Sequence, residues 1–158
     1  MPLNHTRVAR RSNWVVRRHP KMQRAWSRLH AKLYERTGGR VLPRWFGAPV
    51  MVLETLGRRT GRRYSTPVLY LRDADVLVVL AANAGAARTP AWWLNLKDAG
   101  QGEVLIGRRR LRIRPRVLDG DERDRLWHSF VEMYPQARDY TRFTDRELPL
   151  IALEPLAR

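Results

Sequence analysis

Hydrophobic positions change period along this chain, and the change divides it into a helical beginning and a strand-rich remainder. From Pro20, Met22, Trp26, Leu29 and Leu33 recur at helical spacing, with Arg24, Arg28 and Lys32 on other faces, until Gly38–Gly39. The spacing predicts an amphipathic helix over 20–37, stopped where glycine accepts a left-handed cap. Beyond a Pro43–Arg44–Trp45–Phe46–Gly47 link, short runs rich in Val and Leu follow at Val50–Leu56, Ser65–Leu71 and Val76–Ala82. Turn residues at Gly57–Gly61 and Arg72–Asp75 separate them, as in strands joined by hairpins.

A second hairpin is predicted at Glu103–Ile106 and Arg109–Leu118, turning at Gly107–Arg108. Its second strand alternates Leu111, Ile113 and Pro115 with Arg110, Arg112, Arg114 and Arg116, giving one core face and one cationic face. Thr89–Pro90 reads as an N-cap followed by proline in the first turn of a helix Ala91–Asp98, closed near Gly100. Asp119 or Asp121 opens another helix, carrying Leu126, Phe130 and Met133, which Pro135 ends. Leu148–Leu153 is the last strand, with Pro149 near its start. Residues 1–19 read as a basic flexible arm and 20–158 as a single domain, of α+β class and built on a mainly antiparallel barrel.

Composition narrows the chemistry. The 158 residues contain no cysteine, which excludes disulfides, thiolate nucleophiles and cysteine-ligated metal sites. The four histidines are scattered, so neither a metal site nor a Ser-His-Asp arrangement is expected. No apolar run approaches the roughly 18 residues of a membrane span, and the expected location is cytoplasmic, peripheral to the membrane at most. The net charge of +16 invites a nucleic-acid partner, but residues 1–50 carry 12 Lys/Arg against one acid and the remainder 19 against 14. The excess belongs mostly to the arm and first helix. That helix would suit either packing on its own domain or a twin subunit, or an anionic membrane surface reached through residues 1–40.

The densest polar feature is Gly57–Arg58–Arg59–Thr60–Gly61–Arg62–Arg63, between two strands. Two glycines permit a tight turn, and four guanidiniums can fork onto phosphate or carboxylate oxygens. It is neither a Walker loop, lacking Gly-Lys-Ser/Thr, nor a Gly-x-Gly-x-x-Gly fingerprint. A solvated hairpin tip remains the alternative.

Together with Leu53–Glu54–Thr55–Leu56, this turn is followed by Thr66–Pro67–Val68–Leu69–Tyr70, Asn83–Ala84–Gly85, Pro90–Ala91–Trp92–Trp93–Leu94–Asn95–Leu96, Met133–Tyr134–Pro135 and Thr144–Asp145–Arg146–Glu147–Leu148–Pro149. The ordered set, spanning about residues 20–155, resembles the deazaflavin-dependent nitroreductases. The resemblance implies a split β-barrel of the FMN-binding-like kind that binds coenzyme F420. By the same resemblance Arg58, Arg59 and Thr60 meet the cofactor's phosphate and oligoglutamate tail, with Arg62 and Arg63 nearby. Tyr64, Ser65, Thr66, Pro67, Val68, Leu69, Ala81, Ala82, Asn83, Ala91, Trp92, Trp93, Leu94 and Asn95 would line the deazaflavin.

Substrate contacts implied by the resemblance fall on Tyr134 and Tyr140, with Tyr70, Asn83 and Ala137 beside them. Ala137 stands where some relatives carry an aromatic, a change that reshapes the acceptor pocket; Tyr64 and Ala84 are further departures. The expected activity is hydride transfer from reduced F420 to a small lipophilic acceptor, a quinone, enone or nitro compound. Such a site needs positioning and charge stabilisation rather than a catalytic triad. Two other readings stay open at this point: a non-enzymatic nucleic-acid-binding barrel, and a split barrel that uses FMN. Monomer and homodimer are both compatible with the sequence.

Overall fold

The computed structural model describes residues 18–157, so nearly all of the expected basic arm lies outside the described residues. The first helix, α1 (Pro20–Thr37), begins at a proline and ends on Gly38, whose φ of 61° is the left-handed cap the Gly-Gly pair predicts. Its orientation differs from the expectation. Met22, Trp26 and Leu29, the apolar stripe of the sequence, are 60%, 54% and 51% exposed. The packed face is His30, Ala31 and Tyr34. Small Ala31 lets the helix approach Val52 and Leu105 of the sheet, and the Tyr34 hydroxyl accepts the Gly107 N–H at 3.0 Å. Periodicity marks an apolar face; fit against the sheet decided which face is buried.

The strands are β1 (Arg44–Trp45), β2 (Ala48–Leu56), β3 (Arg63–Leu69), β4 (Leu71–Asp73), β5 (Val76–Leu80), β6 (Gly102–Ile106), β7 (Arg109–Val117) and β8 (Leu150–Pro155). All pairings are antiparallel, in the order β3-β2-β6-β7-β8-β5-β4, with the short β1 beside the start of β2. The expected single strand Ser65–Leu71 is two strands broken at Tyr70. That break closes the barrel. One continuous stretch of chain pairs with β2 before Tyr70 and with β5 after it, so the two ends of the sheet path meet. The last strand also sits later than predicted, because Pro149 precedes it and cannot donate to the ladder.

Three helices complete the domain: α2 (Ala91–Ala99), α3 (Gly120–Met133) and the short α4 (Ala137–Tyr140), which the sequence pattern did not reveal. Pro90 occupies the N-cap of α2 rather than its first turn, so Thr89 does not cap it. Inside the barrel Met51, Leu53, Leu77, Val79, Val104, Ile113, Ile151 and Leu153 pack against Trp92, Trp93 and Leu96 of α2. On the opposite side Leu126, Phe130 and Val131 of α3 cover Leu118, Leu150 and Ala152 together with Tyr134, Ala137 and Tyr140. Each fully buried large side chain contributes about 1.5–3 kcal/mol of transfer free energy, which makes these two clusters the source of the fold's stability.

Candidate functional site

The basic turn is a compact tip between β2 and β3. Thr60 and Gly61 N–H groups both donate to the Gly57 carbonyl, at 3.2 and 2.7 Å, and Gly57 N–H donates to Arg62 at 2.8 Å. A Cβ at Gly57 would fall 2.5 Å from the Tyr64 ring and 2.6 Å from Thr60 Oγ1, so any larger residue there must displace these two side chains. Thr60 Oγ1 accepts the Arg62 N–H at 3.3 Å and lies 3.2 Å from the Tyr64 hydroxyl. Thr60 and Tyr64 thus shape the turn itself.

Asn95 on α2 is buried, with 6% exposure, and its Oδ1 accepts from both the backbone N–H and the guanidinium of Arg58, at 3.2 and 3.3 Å. Because the amide is neutral, Arg58 is anchored without losing its charge. Arg58, Arg59 and Arg62 pair with no carboxylate among the described residues. Arg63 differs: it shares Glu54 and Glu103 with Arg110, at 3.4 and 3.8 Å.

The cationic face expected on β7 is largely neutralised. Arg110 donates to Glu54 at 2.7 Å, Arg114 to Glu154 at 2.9 Å, and Arg116 to Glu154 and Glu122 at 2.7 and 2.8 Å. These contacts hold Glu154 and Glu122 below the usual carboxylate range, first through hydrogen bonds from Arg116. Arg58, Arg59 and Arg62 of the turn, by contrast, have no carboxylate partner among the described residues. Cross-strand partners could not be paired from sequence because each acid lies on another strand or helix.

The second half of the site follows β5. Ala81 and Ala82 are buried, and Asn83 and Ala84 adopt φ of 47° and 53°, with Gly85 at 75°. Two adjacent non-glycine residues in left-handed geometry cost about 1–2 kcal/mol each, strain that concentrates at functional segments. Gly85 lies against the Tyr140 backbone, where a Cβ would stand 2.8 Å from its carbonyl oxygen. Asn83 meets Gln23 of α1 at 3.4 Å and donates to the Arg88 carbonyl at 3.2 Å. The first helix therefore borders this turn.

Tyr134 and Tyr140, 2% and 7% exposed, have hydroxyls 3.0 Å apart. Ala137, fully buried, belongs to the same cluster. Trp92 and Trp93 belong to the barrel core, whereas Ala91 is exposed and Leu94 partly so. Of β3, Pro67 and Val68 are buried, Ser65, Thr66 and Leu69 partly covered, and Tyr70 sits at the break in the strand. Arg146 was given no role by the sequence; its guanidinium reaches the carbonyls of Ala81 and Ala82, just before the left-handed residues. No helix among the described residues is long and apolar enough to cross a membrane, and no cluster there suits a metal ion.

Comparison with known proteins settles the family. The F420H(2)-dependent quinone reductase family matches residues 26–155. The F420H(2)-dependent quinone reductase Rv1261c of Mycobacterium tuberculosis (strain ATCC 25618 / H37Rv) is 33% identical over 132 residues, covering 80% of this chain and 87% of that one. Among solved structures, an F420-H2 dependent reductase (FDR-A) matches with a TM-score of 0.61 and 28% identity, over 67% of this chain and 94% of its own. A protein described as a domain-swapped dimer matches with a TM-score of 0.63 and 26% identity, over 82% and 98%. The cofactor is F420, and guanidiniums such as those of the tip are donors suited to phosphate and carboxylate oxygens. This chain belongs to the F420H(2)-dependent quinone reductase family, as an F420H2-dependent oxidoreductase on a split β-barrel.

Proposed function

We propose that the protein reduces a quinone-class acceptor, with enones and nitro compounds as further acceptors, and that the Arg58–Arg59–Arg62 tip holds the cofactor's tail. The observation that carries this reading is charge: these guanidiniums lack acids in a chain whose β7 arginines mostly have them. Reduced F420, when bound, supplies a hydride from C5 of its deazaflavin ring. The protein's own contribution is placement. Asn95 fixes Arg58, the β3 segment Tyr64–Leu69 and the α2 start Ala91–Leu94 border the ring, and Trp92 and Trp93 keep the barrel side dry. Ala81, Ala82 and Asn83 offer backbone amides to the ring edge. Tyr134, Tyr140, Tyr70 and Asn83 position the acceptor, a phenol stabilising the oxygen that gains negative charge, as donors aimed at developing charge do.

A fluorescence titration with F420, repeated with FMN and with a short oligonucleotide, tests the binding part. Saturable F420 binding weakened at least tenfold by R58Q and R59Q is expected; unchanged affinity in both variants would remove the tip from the site. Turnover with quinone, enone and nitroaromatic acceptors then ranks the substrates. Tyr134→Phe and Tyr140→Phe should lower turnover and leave F420 affinity within about twofold.

A second reading concerns where the acceptor comes from. Met22, Trp26 and Leu29 form an exposed apolar stripe, and Lys21, Arg24, Arg28 and Lys32 lie beside it on the same helix. An apolar stripe flanked by cations fits an anionic bilayer surface, and Gln23 of this helix touches Asn83. A lipophilic quinone would then enter from the membrane. Co-sedimentation with vesicles containing about one-third anionic lipid is expected, and should fall in W26E. Equal binding to neutral vesicles, or a dimer that buries the stripe, would refute it.

A further inference from the structure

The strained turn after β5 is gripped from outside by an anchor of unusual chemistry. Arg146 donates from Nη1 to the carbonyls of Ala81 and Glu147, both at 3.1 Å, and from Nη2 to those of Ala82 and Ala86, at 2.8 and 3.2 Å. Its guanidinium meets no carboxylate among the described residues, and its Nε is buried without a hydrogen-bond partner. Burial lowers its pKa from the ordinary value, yet an arginine starts so high that it stays charged. A cation that forgoes an acid for four backbone carbonyls fixes backbone geometry.

What it fixes is a left-handed segment. Gly85 N–H donates to Ala82 and Ala86 N–H to Asn83, at 2.9 and 3.0 Å, so residues 82–86 form two successive turns of the primed, φ-positive kind. Ordinary residues resist this conformation, and it persists only where surrounding contacts over-determine it. Arg146 bonds to carbonyls on both sides of the strained pair. All peptide bonds among the described residues are trans. In a trans peptide N–H and C=O point in opposite directions, so the N–H groups of Ala82 and Asn83 leave the side away from the guanidinium. Charge placed on a carbonyl also strengthens the N–H of the same peptide as a donor.

We propose that Arg146 is a positioning residue of the reductase site: it holds the Ala81–Ala86 segment so that the Ala82 and Asn83 amides donate to an oxyanionic ligand edge. The assignment rests on the reading that Ala81–Asn83 border the cofactor ring. It deepens that reading by naming the residue that fixes the two peptides carrying these amides at the entry to the strained pair, and it predicts that ligand affinity and turn conformation are coupled through one side chain.

The test compares wild-type protein, R146K and the double variant R146K/A84G, each labelled with 15N and titrated with F420. Lysine keeps the charge but cannot span four carbonyls; glycine accepts the φ of residue 84 without strain. R146K is expected to weaken F420 binding about tenfold and to abolish the shift of the Ala82 and Asn83 amide signals, and A84G to restore much of both. Loss of thermal stability in R146K with unchanged F420 affinity of the folded protein would make Arg146 merely structural and overturn the proposal. Wild-type protein that binds F420 with no response at Ala82 or Asn83 would instead overturn the underlying reading. Should R146K not fold, the wild-type Arg146 guanidinium signals decide: they shift on F420 addition if the gripped peptides meet the ligand, and an unmoved signal refutes it.

Discussion

The carboxamide oxygen of Asn95, buried on α2, accepts two hydrogen bonds from Arg58 at the tip of the β2–β3 hairpin. This one atom ties the helix start, which borders the proposed ring site, to the cationic tip. A hydrogen bond to a charged group contributes about 1.5–3 kcal/mol, and partial exposure of Arg58 puts this pair near the lower end. Asn95→Leu should therefore raise the F420 Kd by roughly tenfold while leaving its salt dependence unchanged. Asn95→Asp should also weaken binding, but by neutralising Arg58, and so flatten the dependence of log Kd on salt. Identical salt slopes for the two variants would show that the amide does not act through the arginine.

Arg110 and Arg112 face the same side of β7 and should respond differently to removal. Arg110 is the 2.7 Å donor to Glu54, whose carboxylate is only 10% exposed; Arg112 reaches only the Gln101 carboxamide among the described residues, at 3.2 Å. Glu54 also raises the Arg110 pKa, chiefly through that hydrogen bond. Arg110→Met leaves a nearly buried charge with its weaker partner Arg63. A cost of about 1–2 kcal/mol follows, after allowance for the half-exposed guanidinium. Arg112→Met should stay within about 0.5 kcal/mol. Urea unfolding of both variants at one pH checks the difference, and equal midpoints would deny the Glu54 pair any role in stability.

The contrast between these arginines bears on what a sequence can disclose. Alternation along β7 identified its two faces, because a strand's period is local. Neutralisation of the outer face was invisible, since Glu54, Glu122 and Glu154 come from β2, α3 and β8. The Gly57–Gly61 tip was legible for the same local reason: two glycines and four arginines occupy seven residues. Asn95 could be named as a polar residue of the site, but not as the holder of Arg58, 37 positions away. Arg146 lay inside one of the segments that carry the resemblance but could be given no role, because its partners are backbone carbonyls, which carry no side-chain identity.

Opposite faces of α1 yield a further prediction. Trp26 is 54% exposed and Tyr34 2% exposed with its hydroxyl on Gly107, although both are large aromatics on one helix. Trp26→Ala removes little buried area and should leave the unfolding free energy within about 0.5 kcal/mol. Tyr34→Ala opens a cavity beneath α1 and strands the Gly107 N–H, and should cost about 3–5 kcal/mol. If Trp26→Ala proves the more damaging, the stripe is packed in solution rather than exposed, and the membrane-facing role proposed for it falls.

Buried His30 makes stability depend on pH on the acid side of neutrality. Its ring is fully buried beside Trp45, Nε2 donates to the Leu42 carbonyl at 3.1 Å, and Nδ1 has no partner. Burial pushes its pKa below the ordinary value of 6.5, outweighing the bond to Leu42. Between the folded and unfolded pKa the unfolded chain binds the extra proton, so stability rises with pH through that window. The neutral ring's contribution is complete above about pH 6.5 and declines as pH falls below it. Unfolding free energies at pH 7.5 and 5.5 should therefore differ in wild-type protein by more than in His30→Gln, which keeps a donor for Leu42 but cannot titrate. Parallel pH profiles for the two proteins would mean that His30 takes its proton in the folded state as readily as in the unfolded chain, and that the helix is not sealed against the sheet at this position.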